Sequence, residues 1–127
     1  MDETCLYLDS PSYYTFSPTG VRRVKANTTG SERVRQSLAF TAASNGVKLP
    51  IFGIIPRVNT ILDLNSIDNM VFDYKTKSTF DDLMILEYIK RVIIPYKNAK
   101  SYNRILLVLD MATCHKTSRV ISFTIIL

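Results

Sequence analysis

Between Val34 and Ala43 the apolar positions alternate, with Leu38, Phe40 and Ala42 on one face and Ser37, Ala39 and Thr41 on the other. A period of two is that of a half-buried strand. Asn45-Gly46 follows, a strong hairpin signal because both residues tolerate positive φ. Residues 47–55 (VKLPIFGII) therefore form the returning strand. Pro50 within it lacks an amide donor, so it belongs at an edge, at a bulge, or with its nitrogen facing solvent. Met70 to Tyr74 reads as a short apolar strand after a connector from Arg57 to Asn69.

The spacing changes after Lys77. Ile85, Leu86, Tyr88, Ile89, Val92 and Ile93 make one broad apolar face, with Glu87, Lys90 and Arg91 opposite, which predicts a helix over 79–94. Thr79 and Asp82 have capping-box spacing, Asp81 and Asp82 suit the positive end of the helix, and Pro95 is expected to stop it. Residues 104–109 (RILLVL) form an unbroken apolar run ending at Asp110, the pattern of a buried central strand. At the two ends, Cys5 to Gly20 reads as an irregular lead-in and Val21 to Ala26 as a short strand, while Thr117 to Leu127 is compatible with a helix. A hairpin, a strand, a helix and a buried strand together predict one α/β domain over 1–127, with a sheet of mixed direction.

Composition sharpens this picture in three places. Sixteen Lys and Arg against eleven Asp and Glu give a net charge of +5, which suits a polyanionic partner such as nucleic acid and suits plain solubility equally. The cationic residues Arg22, Arg23, Lys25, Arg33 and Arg35 are candidates for meeting phosphates, or form a solvated charged edge. Cys5 and Cys114 make neither a disulfide framework nor a CxxC zinc pair, and the apolar runs are too short for a membrane span, so the expectation is an intracellular chain with no membrane partner.

Asp110 lies where open α/β sheets place their sites, just beyond the carboxyl end of a strand, with His115 five residues further on. The plainer alternatives are that Asp110 ends the strand and caps the segment after it, and that His115 is a hydrogen-bonding surface residue. Hydrolase-elbow and nucleotide-loop motifs are absent.

Five stretches then point to one family. Met1-Asp2-Glu3-Thr4 is similar to the (N)MDET stretch of pogo, Tigger and Jerky-like transposases, and Thr28-Thr29-Gly30-Ser31-Glu32-Arg33 to their TTGxE(K/R). Ala43 to Pro50 (ASNGVKLP) resembles ADGxKLPP, and Phe80-Asp81-Asp82-Leu83-Met84 the acidic start of the following helix. Leu106 to His115 (LLVLDMATCH) resembles LLLLDNAPxH. The chain departs from the pattern at Asn45, at Ile51 and in having no Trp.

The resemblance spans nearly the whole chain and implies a DDE endonuclease domain: a ribonuclease H-like mixed sheet with flanking helices, incomplete at both ends. It implies that Asp2, closing a first central strand, and Asp110 are the catalytic, magnesium-binding acids. The family's third acid falls beyond the second by more than the residues that remain, and none of those is Asp or Glu. The resemblance thus implies a nuclear, DNA-binding, transposase-derived domain that binds magnesium weakly and does not cut DNA alone. A non-catalytic interaction module and a non-functional remnant are the alternatives. Asp2 and Asp110 are expected to lie together, with at least one carboxyl pKa raised by their repulsion.

Overall fold

A computed structural model describes residues 1–7, 9, 16–22, 34–57 and 67–124. Four strands form one mixed sheet in sequence order: β1 (Asp2–Tyr7), β2 (Arg35–Phe40), β3 (Ile51–Ile55) and β4 (Met70–Tyr74). The first two pairings are antiparallel and β3–β4 is parallel. The mixed α/β class read from the patterning is thus what the chain adopts.

The hairpin between β2 and β3 turns at Asn45-Gly46, although only Gly46 takes positive φ (84°). Gly46 N–H donates to Ala43 O and Ala43 N–H to Val47 O, a turn closed by a left-handed glycine in place of one with both central residues left-handed. Beyond it, Ala42 bridges Lys48 while Ala39 faces Phe52, so three residues of advance on one strand meet four on the other. That extra residue is a bulge, and Pro50, which has no N–H to give to the ladder, lies in it.

The helix begins at α1 (Asp82–Tyr88), capped by Asp81, whose side chain accepts from Met84 N–H at 3.0 Å. The cap is therefore two residues later than Thr79, whose own N–H is turned back to Lys77 O. Burial works to raise the Asp81 carboxyl pKa, but the Lys75 ammonium and the Met84 N–H outweigh it and hold it below the usual carboxylate value. Pro95 does not stop the helix. A π-helical turn (Ile89–Ile93) widens the winding first, with Ile94 N–H reaching Ile89 O, and α2 (Ile94–Ala99) continues with Pro95 in its first turn. A proline mid-helix costs a hydrogen bond and a clash with the carbonyl four back; the widened turn relaxes both.

The core lies between this helix and one face of the sheet, where Ala39, Phe52, Ile54, Ile85, Tyr88, Ile89, Val92 and Ile93 are buried. A short 3₁₀ turn (Thr113–Lys116) leads into α3 (Ser118–Thr124), which adds Val120 to the core.

The 104–109 run is a correction. It takes no place in the sheet, and its exposure alternates: Ile105, Leu107 and Leu109 are half-buried, whereas Leu106 is 89% exposed and Val108 68%. Unbroken apolarity suggested cover on both faces, yet among the described residues only the inner face is covered. A second correction concerns Asp2, which opens β1 at the sheet edge and does not close a central strand. Val21 and Arg22 are not in a strand, and the rest of that expected element lies outside the described residues.

On the sheet face away from the helix, Gly53 stands in register between Leu38 and Phe72. A Cβ at Gly53 would lie 2.9 Å from two Phe72 ring carbons and 3.2 Å from Leu38 Cδ2. Phe72 and Leu38 are themselves buried, so neither side chain yields freely. Gly53→Ala is accordingly expected to cost about 1–3 kcal/mol by overpacking. Urea unfolding would measure it, and a variant as stable as the parent would show that the ring moves aside.

Candidate metal and acid–histidine site

The site forms where the start of β1 meets the loop after residue 109. The Met1 ammonium donates to Val108 O at 3.1 Å, laying the strand's beginning alongside the 104–110 segment. Adjacent residues in a strand leave it on opposite faces, so Asp2 and Glu3 differ in burial, although one carboxylate oxygen of each stays within 4.8 Å of the other. Asp2 pairs with Phe40 and is exposed; Glu3 pairs with Ala39 and turns toward the helix side, half-buried.

Asp110 starts a tight turn, its Oδ1 accepting from Ala112 N–H at 3.0 Å. The turn delivers His115 back under Asp110, with the imidazole only 2% exposed. His115 Nδ1 lies 2.7 Å from Asp110 Oδ1, and Nε2 lies 2.7 Å from Glu3 Oε1. Two ring nitrogens facing two carboxylates are both satisfied only by the imidazolium, which donates from each. Burial lowers the His115 pKa, but the Glu3 hydrogen bond and charge and the bonds to Asp110 outweigh it, so the pKa ends above the ordinary histidine value.

Asp110 moves the other way from the expected rise. The Ala112 N–H foremost, and then the His115 hydrogen bond and charge, lower its pKa. The repulsion expected between acids is met by a cation the chain already carries.

Asp2 and Asp110 do come together. One oxygen from each of Asp2, Glu3 and Asp110 lies within 4.8 Å of the others, and Glu3, Cys114 and His115 form a second group of the same closeness. The metal-ligating pair expected from the sequence is therefore adjacent, and Glu3 is the member that sequence reasoning passed over. A signal for it existed: a strand carrying consecutive acids must aim one of them inward, and an inward acid needs a partner. His115 is a hydrogen-bonding residue, as the plainer reading has it, but a buried one.

Nearby, burial pushes the Tyr88 hydroxyl up to about 12, against the pull of its bond to Thr41 and with the Glu3 charge adding to the rise. The Cys114 thiol is likewise raised, by burial first and then by Glu3, both of which disfavour its thiolate.

Of the proposed phosphate-binding residues, Arg22 and Arg35 are exposed. Arg35 opens β2 opposite Tyr7, and with Glu3 and Cys114 it lines a shallow depression beside the site. Arg23, Lys25 and Arg33 lie outside the described residues. Among those described, no helix is long and apolar enough to cross a membrane.

Because the folded pKa of His115 is raised, its stabilising contribution is complete below the unfolded value of 6.5 and is lost as pH rises through the folded value. The single histidine should titrate in NMR with a midpoint above 6.5, Glu3→Gln should bring that midpoint down, and thermal stability should decline from mildly acid to mildly alkaline pH. A midpoint at or below the ordinary value would mean that the two carboxylates do not hold an imidazolium. Compared with protein families, curated proteins and solved structures, the chain matches none.

Proposed function

We propose that this chain is a transposase-derived domain of ribonuclease H-like ancestry, in which Asp2 and Asp110 hold a magnesium ion beside a bound DNA backbone in the nucleus. The observation that carries the proposal is the convergence of the Asp2, Glu3 and Asp110 carboxylates within 4.8 Å, although Asp2 and Asp110 stand more than a hundred residues apart. Magnesium seeks hard oxygen ligands, and carboxylates gathered from distant parts of a chain are what such an ion requires. The antiparallel run β1-β2-β3 with a helix packed on it also suits the fold that the transposase resemblance implies.

When bound, the ion would polarise a phosphoryl oxygen and favour an attacking hydroxide. Asp2 is exposed and free to turn toward it, whereas Asp110 is fixed by Ala112 and His115 through Oδ1. Glu3 has Oε1 committed to His115 and serves to hold that histidine in place. Strand cleavage by two ions needs more free carboxylates than the Asp2, Glu3 and Asp110 group offers once Glu3 is bound to His115. The reading is therefore weak binding of one ion and no cutting by this chain.

A second reading, a non-catalytic interaction module, draws on a different observation. The buried His115 already stands between Glu3 and Asp110, a cation whenever it is protonated, which is how a purely structural clasp would look.

Magnesium titration followed by NMR separates the two. Weak saturable shifts at Asp2 and Asp110, abolished by Asp110→Asn, are expected, with no cleavage of a DNA duplex by purified protein. Absence of any magnesium shift would favour the clasp, and vigorous magnesium-dependent cleavage would refute the single-ion reading. For the DNA partner, affinity should fall log-linearly with salt and without sequence preference. Arg22→Ala with Arg35→Ala should weaken it, and no binding at low salt would remove nucleic acid from the proposal.

A further inference from the structure

Among the described residues, the 104–110 segment has the marks of a strand without a paired neighbour. Exposure alternates residue by residue, with Arg104, Leu106, Val108 and Asp110 facing out and Ile105, Leu107 and Leu109 facing in. Among the described residues, the Met1 ammonium on Val108 O is the one hydrogen bond that its backbone from 104 to 109 makes. Unpaired strand edges are usually blunted by a lysine, a proline or a bulge placed among their residues. Here the middle of the outward row is Leu106 and Val108.

Alternate residues of a strand send their backbone groups to opposite edges. Val108 directs its carbonyl toward Met1, so Ile105, Leu107 and Leu109 offer theirs to the open edge. Their order has a further property. Read in reverse, Arg104 to Asp110 exchanges a cation for an anion at its ends and one branched apolar residue for another between them. Centred on Leu107, an antiparallel copy sets Arg104 against Asp110 and Leu106 against Val108, twice over by symmetry. Ile105, Leu107 and Leu109 then fall at hydrogen-bonded positions, and the outward side chains at the non-hydrogen-bonded positions, where opposed side chains are closest.

We propose that this edge pairs with the same edge of a second copy of the chain, through an antiparallel strand junction with a twofold axis at Leu107. Opposite charges at its two ends fix both direction and register, since a parallel pairing would oppose like charges. The contact is isologous, so it closes at two copies and does not run on into fibres. It rests on the 104–110 edge and does not require that magnesium binds.

The test is the oligomeric state of the full chain. Analytical ultracentrifugation from low to high micromolar concentration should show the mass rising toward twice that of the monomer. Leu106→Lys, at a side chain that is 89% exposed and so neutral for the fold by circular dichroism, should leave a monomer throughout. Arg104→Glu, which sets two acids against each other, should weaken the dimer several-fold, most strongly at low salt. Register is read with cysteines, in chains that carry Cys5→Ser and Cys114→Ser. On mild oxidation, Leu106→Cys and Val108→Cys chains should join to each other when mixed, and neither should join to itself. A monomer at every concentration overturns the proposal and leaves the edge to another protein's strand. A dimer indifferent to Leu106→Lys, or cysteine variants that join to themselves, overturns it as well.

Discussion

Everything in this fold is referred to the middle of β3. Phe52 and Ile54 leave that strand toward the helix, and Phe52 meets both Phe80 and Tyr88 at ring centroids near 6 Å, with Arg91 above its face at 5.9 Å. Gly53 leaves nothing on the other side, which lets Phe72 and Leu38 close over it. One strand so anchors two layers with three consecutive residues, a large apolar side chain on either side of an absent one. The helix position follows from Phe52. Tyr88 follows from the helix and fixes the β2 end through its hydroxyl, 2.5 Å from Thr41 Oγ1. The start of β1, and with it Glu3, is then held against the same layer by pairing with Ala39.

Elements whose cause is local were legible in the sequence. The hairpin is driven by Gly46 and the alternation before it, the bulge by Pro50, and the helix by an apolar face that only a 3.6-residue period can gather. The failures share a different cause. Pro95 predicts a stop if the helix before it keeps α geometry, and the π-helical turn at 89–93 changes that condition. The 104–109 run predicts burial if something covers both faces, and apolarity reports the appetite for cover without saying whether a neighbour supplies it. Glu3 was passed over because its meaning depends on His115, at the far end of the chain. The pairing of Asp2 with Asp110 was expected only through family resemblance; nothing in their separate neighbourhoods encodes it.

The acid–histidine arrangement shows why pKa direction was harder to foresee than proximity. Carboxylates brought together without a cation should resist ionisation. With the Ala112 N–H bound to Asp110 first, and His115 folded between Glu3 and Asp110 second, the sign reverses: the acid gains donors, the imidazole gains two acceptors, and both charged forms are favoured. The same reversal sets the terms for any metal. An ion arriving at Asp2 and Asp110 would meet a ring that, when protonated, already takes up part of the Asp110 charge, so its affinity would be bounded by what His115 leaves over.

Asp110 is where these demands meet. Its Oδ1 accepts from Ala112 and faces His115, and both contacts lie within its own loop. Outside partners are left with the second oxygen, on a side chain that is 59% exposed. A magnesium ion shared with Asp2 would use that oxygen from one direction, and the guanidinium of Arg104 from a second copy would use it from another. Each would neutralise the same charge, so each weakens the other, and by linkage the penalty is equal in both directions. The proposed strand junction and the proposed metal site would thus be two uses of one carboxylate. Which of them would prevail at a given magnesium concentration would depend on how far His115 draws the Asp110 charge inward.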